Sequence, residues 1–117
     1  MATAAPRGPI IQSEQQDGSQ VVIELRIPAD LLYLQGHFPG TPIVPGVALT
    51  DWAIQAAARC FKREPRIAAI QRLKFHQVLR PNEQVTLLLH HRAEADATEF
   101  RYRSAEHDHA SGRLLWR

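Results

Sequence analysis

His37 and Asp51 can move protons, and Gly46 between them can present bare backbone to a developing charge. Imidazole is the usual side chain for removing a proton near neutral pH. His37 is followed at once by Phe38-Pro39-Gly40, then by Pro42 and Pro45. Such density forbids helix and makes a stiff loop, which would hold the base in register. Gly46 opens a helix just after Pro45. The first N–H groups of a helix have no intrahelical acceptor and attract negative charge, including an oxygen that gains charge during a reaction. Glycine there admits close approach. The plainer alternative is a helix boundary with no ligand.

Asp51 follows on that helix. No Gly or Pro occurs between Gly46 and Pro65, and Ala is abundant, so a helix is expected over about 46–62. Val47, Asp51, Ile54, Ala58 and Phe61 are spaced four, three, four and three apart and share one stripe. A carboxylate is rarely buried without a partner. Asp51 is therefore expected in a cleft, beside a partner, or with a raised pKa. The simpler alternative is an Asp that bonds nearby backbone.

The remaining elements must position this trio. Val21, Ile23, Leu25 and Ile27 alternate with polar or exposed-type residues and end at Pro28, which reads as a strand. Further strands are expected at 67–79, 84–92, 98–105 and 113–117, with a short one beginning at Ile10 and Ile11 before a polar turn over 13–20. Residues 29–34 read as a short helical turn. Pro81-Asn82, Asp96-Ala97 and His107-Asp108 read as turns. Residues 1–9 read as a tail and 10–117 as a single α+β domain, an antiparallel sheet curved around one long helix.

Composition narrows the partners. The 117 residues are 44% apolar and 22% charged, which reads as an ordinary globular protein. No apolar run suits a membrane span, and Met1 to Pro9 has no secretory pattern, so a cytoplasmic location is expected. Net charge is +2, without the basic, aromatic-interleaved stripe that nucleic acid requires. A local cluster of Arg59, Lys62, Arg63 and Arg66 is a candidate docking patch for an acidic protein, or a solvated helix end.

The string Gly36-His37-Phe38-Pro39-Gly40-Thr41-Pro42-Ile43-Val44-Pro45-Gly46-Val47, followed by Asp51, resembles the 3-hydroxyacyl-[acyl-carrier-protein] dehydratases of the hot-dog superfamily. Those enzymes carry a GHFPGxPxxPGV loop, with the acid on the helix fourteen positions after the His, where Asp51 stands. Gln55-Ala56 and the segment from Phe75 to Pro81 are also similar. The resemblance implies a hot-dog fold, usually dimeric, with His and acid contributed by different subunits. It implies a (3R)-3-hydroxyacyl substrate on the phosphopantetheine of acyl carrier protein, a trans-2-enoyl product, and no other cofactor or metal.

In that scheme His37 removes the C2 proton while the N–H groups of Gly46 and Val47 polarise the thioester carbonyl. Asp51 expels the C3 hydroxyl as water, and Phe38, Pro39, Gly40 and Pro45 shape the loop. One dehydratase branch has Glu at the acid position, and the branch that also isomerises the double bond has Asp, which leaves isomerisation open here. The compact chain looks similar to the dehydratase-like proteins of aryl-polyene clusters. Two other readings are a hot-dog thioesterase, which does not generally need a His in this loop, and a subunit of a heterodimeric dehydratase.

Other residues carry less. His90 and His91 are neighbours on a strand and point to opposite faces, while His107 and His109 have no third ligand at metal-site spacing. Cys60, the single cysteine, reads as packing, and Trp52 and Trp116 as core or interface.

Overall fold

The computed structural model describes residues 8–29 and 43–117. Six strands form one antiparallel sheet in the order β1-β2-β4-β5-β6-β3. They are β1 (Ile10–Asp17), β2 (Gln20–Arg26), β3 (Ile67–Phe75), β4 (Gln84–Arg92), β5 (Ala97–Arg103) and β6 (Asp108–Trp116), with the helix α1 (Gly46–Cys60) between β2 and β3. This is the hot-dog arrangement that the resemblance implies.

Alternation decides which sheet face meets the helix. Val21, Ile23 and Leu25 of β2, Val85, Leu87 and Leu89 of β4, Phe100 and Tyr102 of β5, and Leu114 and Trp116 of β6 are all buried. The residues between them are exposed or half-buried, as a period of two requires. Against this layer α1 turns Ala48, Leu49, Trp52, Ala53 and Ala57. Alanine dominates that face, and its small volume lets the helix settle close to the sheet. Gly112 serves the same end within the sheet: a Cβ there would lie 2.8 Å from the Phe100 ring.

Several boundaries differ from expectation. The helix ends at Cys60, and Lys62 takes φ of 56° in the turn that follows. The first strand continues to Asp17 through a polar stretch whose alternation is absent because all eight residues are exposed. Its hairpin turns at Gly18, φ 61°. The strand starting at Ile67 stops at Phe75. The last strand starts at Asp108, because the turn falls earlier, over 104–107, and the small residues Ala110, Ser111 and Gly112 are strand. The turns at Pro81-Asn82 and Asp96-Ala97 are present, with Asn82 and Asp96 at φ of 67° and 47°. The expected helical turn over 29–34 falls outside the described residues from position 30 onward.

Candidate active site

The loop leading to α1 is anchored where its described part begins. Val44 N–H donates to the Leu79 carbonyl at 2.8 Å, and both side chains are buried. Pro45 then occupies the N-cap position in extended conformation and contributes no side-chain acceptor. Its carbonyl accepts from Ala48 N–H at 3.0 Å and from Leu49 N–H at 3.3 Å, starting the helical ladder. The N–H groups of Gly46 and Val47 make no hydrogen bond among the described residues. No acidic residue stands in the first turn to neutralise this positive end.

Gly46 is closed over from one side. A Cβ on it would lie 2.7 Å from Cζ and 2.8 Å from Cε1 of Phe75, the last residue of β3. Phe75 itself is 51% exposed, and Val47 beside it is 73% exposed. Thr50 ties off the same turn, its hydroxyl donating to the Gly46 carbonyl at 2.9 Å. An apolar, accessible rim thus surrounds an uncapped helix start.

Asp51 follows on the outer side of α1 and is exposed. The stripe it shares with Val47 is therefore not the buried face. Ala58 is buried, Ile54 and Phe61 are half-buried, and the end of the stripe nearest the helix start stands open in the single chain. Asp51 is exposed within one chain because the sheet covers Leu49 and Ala53 on the other side of the helix. Its charge is felt inside all the same. Tyr102 is fully buried and donates its hydroxyl to the Leu49 carbonyl at 2.7 Å. Burial first, and the negative charge of Asp51 second, hold that phenol well above its ordinary range.

Of the remaining expected site residues, His37, Phe38, Pro39 and Gly40 lie outside the described residues. Sequence reasoning did not single out Phe75 or Tyr102 for the site. The Phe75 to Pro81 resemblance marks that segment without giving Phe75 a role, and no local pattern points to Tyr102, since a strand far along the chain brings each to α1.

The other candidates resolve into structure. His90 and His91 face opposite sides, and the His91 ring stacks on Phe61 with centroids 5.1 Å apart. The His109 Nδ1 faces the Gln77 carbonyl and its Nε2 faces the Ser104 hydroxyl, both at 3.0 Å, so both ring nitrogens are occupied. The Gln77 carbonyl can only accept, so Nδ1 carries the proton. The Cys60 thiol is pushed up chiefly by burial, as a packing role requires.

The basic cluster is largely spent on internal pairs. Both Arg59 nitrogens reach Glu14 at 2.8 and 2.6 Å, Arg63 grips Asp96, and Arg66 contacts Glu64 at 3.3 Å. Of the four cations, only Lys62 makes no ion pair among the described residues.

A family model described as ApeI-like, ApeI dehydratase, matches residues 12–113. The 3-hydroxyacyl-[acyl-carrier-protein] dehydratase FabZ of Lactiplantibacillus plantarum is 29% identical over 92 residues, 69% of this chain and 63% of that protein. That of Oenococcus oeni is 28% identical over 81 residues, 63% of this chain and 58% of that protein. The chain therefore spans less than two thirds of the length of these relatives. The dehydratase heterocomplex ApeI:P from Xenorhabdus doucetiae superposes with a TM-score of 0.83 at 26% identity, covering 92% of this chain and 96% of that one. With a family match running from the first strand to the last, the chain belongs to the ApeI-like dehydratase family.

Proposed function

We propose that the chain dehydrates a (3R)-3-hydroxyacyl thioester carried on acyl carrier protein to the trans-2-enoyl thioester, in fatty-acid-like or polyene biosynthesis. One observation carries the reading: an exposed acid, Asp51, follows an uncapped helix start whose first residue is a glycine. The thioester carbonyl would accept from Gly46 and Val47 N–H, where the helix dipole stabilises negative charge as the C2 proton leaves. His37 is the base, held by Phe38, Pro39 and Gly40. Asp51 protonates the C3 hydroxyl, directly or through an oriented water, and the C3–O bond breaks to release water. The electron pair left by the C2 proton becomes the C2–C3 double bond, so no redox partner is needed.

The open rim around Asp51 supports a second hot-dog subunit, either a copy of this chain or a related one, as cover for the site. Closure would exclude water and strengthen the electrostatics.

The test follows enoyl product and free thiol in parallel from 3-hydroxyacyl thioesters on carrier protein and on a pantetheine mimic. Wild type should make enoyl product. Asp51→Asn should be slower by about 10²–10⁴-fold, and His37→Ala at least as slow, with unchanged thermal midpoints. Free thiol without enoyl product would assign a thioesterase. Full turnover in both variants would remove the pair from the mechanism.

A further inference from the structure

The sheet has a second face, turned away from α1. Across it Val22 stands opposite Leu88, Leu88 opposite Arg101, Arg101 opposite Ser111, and Ser111 opposite Lys74. In the next row His90 stands opposite Glu99, and Glu99 opposite Arg113. These positions alternate with the buried Val21, Leu89, Phe100 and Gly112, so their side chains project outward. They line a groove of ≈ 490 Å³, a volume typical of small-molecule sites.

Charge in the groove is unbalanced. Arg72, Lys74, Arg101 and Arg113 face a single carboxylate, Glu99, which already contacts Arg92 at 3.4 Å. Arg101 reaches Asp108 only at 3.4 Å, and Arg72, Lys74 and Arg113 make no ion pair among the described residues. The Arg113 Nε is buried with no acceptor, and a cationic N–H removed from water without one is costly.

The backbone contributes to this arrangement. The register slips by one residue between Gln71 and Lys74, and Arg72 takes φ of 54°, a region that a residue with a side chain adopts at some expense. Gln71 stands opposite the outward Arg113 and Lys74 opposite the outward Ser111. Three positions apart, they would point to opposite faces without the bulge. At the far end Val22, 38% exposed, and Leu88 supply apolar surface.

We propose that this groove binds an amphipathic organic anion, its phosphate or carboxylate head against Arg72, Lys74, Arg101 and Arg113 and its hydrocarbon part along Val22 and Leu88. The site lies across the sheet from Asp51 and is independent of the reaction there.

The test is an NMR titration of the isotope-labelled full chain with decyl phosphate below its micellar concentration, with decanoate and inorganic phosphate as separate probes. Amide shifts should gather on β4, β5 and β6 around Leu88, Arg101 and Arg113. Arg113→Gln and Lys74→Gln should each raise Kd about tenfold, the effect of one lost charge-assisted contact. Leu88→Gln should weaken decyl phosphate and leave inorganic phosphate alone, and Asp51→Asn should change neither. Tighter decyl phosphate or tighter decanoate would support the site and identify its head group. The proposal fails if the charge variants keep wild-type Kd, if shifts gather on α1, or if inorganic phosphate binds as tightly as decyl phosphate. It also fails if light scattering shows Arg113→Gln dissociating an assembly, since the face would then be a contact between chains.

Discussion

At Gly46 two demands meet, one from the helix start and one from β3. A Cβ there would lie 2.7 Å from Phe75, yet Phe75 is half-exposed, so its ring has room to swing aside. An alanine also gains about 0.5–1 kcal/mol of helix propensity over glycine. Gly46→Ala should therefore change stability by less than about 1 kcal/mol, read as a thermal midpoint within a few degrees. Its turnover should nonetheless fall at least about tenfold, because the added methyl crowds the backbone that the thioester carbonyl is proposed to approach. Adding Phe75→Ala separates the causes. The double variant should stay slow if access to the backbone is what glycine provides, and recovery would confine Gly46 to packing against Phe75.

At the scale of elements, β1 illustrates what the sequence reveals and what it hides. Its residues Ser13 to Asp17 are polar and exposed, a pattern that reads as a turn, whereas pairing with Gln20 to Glu24 makes them a strand. In β2, where one face is buried, alternation announced the element at once. In β6 the start at Asp108 is masked by the small residues Ala110, Ser111 and Gly112, the last of them packed under Phe100 and Leu73. The helix is legible from its alanines, but spacing alone does not say which side of it the sheet occupies, so the stripe bearing Asp51 leaves its surroundings open.

What holds β1 to α1 is polar: the Glu14–Arg59 pair and the Gln16 amide on the Cys60 carbonyl at 3.2 Å. Hydrogen bonding from Arg59 holds the Glu14 carboxyl below its usual value of 4.5. A lowered folded value means stability that is present above the unfolded value and lost as pH falls through the folded one. Arg59→Gln should lower the thermal midpoint by about 1–3 °C at pH 7, the modest effect of a largely solvated pair. That gap should close as pH falls below 4.5, and should shrink in high salt. A gap independent of pH would mean that Arg59 acts through its aliphatic stem.

For the whole molecule the sheet's two edges are the places where a second chain could extend the pairing. Both are exposed along nearly their whole length, but they differ in kind. The β1 edge is polar beyond Ile11, a composition that resists pairing with another strand. The β3 edge carries exposed Ile70, Leu73 and Phe75, with Val78 just beyond it and Val47 at the helix start. An apolar edge strand is a template for a second sheet, and a two-fold pairing would satisfy both chains with one surface. Phe75 ties this edge to Gly46, so a subunit seated on β3 would also reach the rim of the site. Ile70→Lys places a charge on the edge where the side chain is already 38% exposed, so the single chain should fold with little loss. Sedimentation should find wild type at twice the chain mass and Ile70→Lys at the chain mass, with dehydration lost in the variant although His37 and Asp51 are intact. Wild type that sediments as a single chain and is inactive, yet gains activity when mixed with a related hot-dog subunit, would make the assembly a heterodimer. A single chain of full activity would show that the open rim needs no cover, and the partner would drop out of the mechanism.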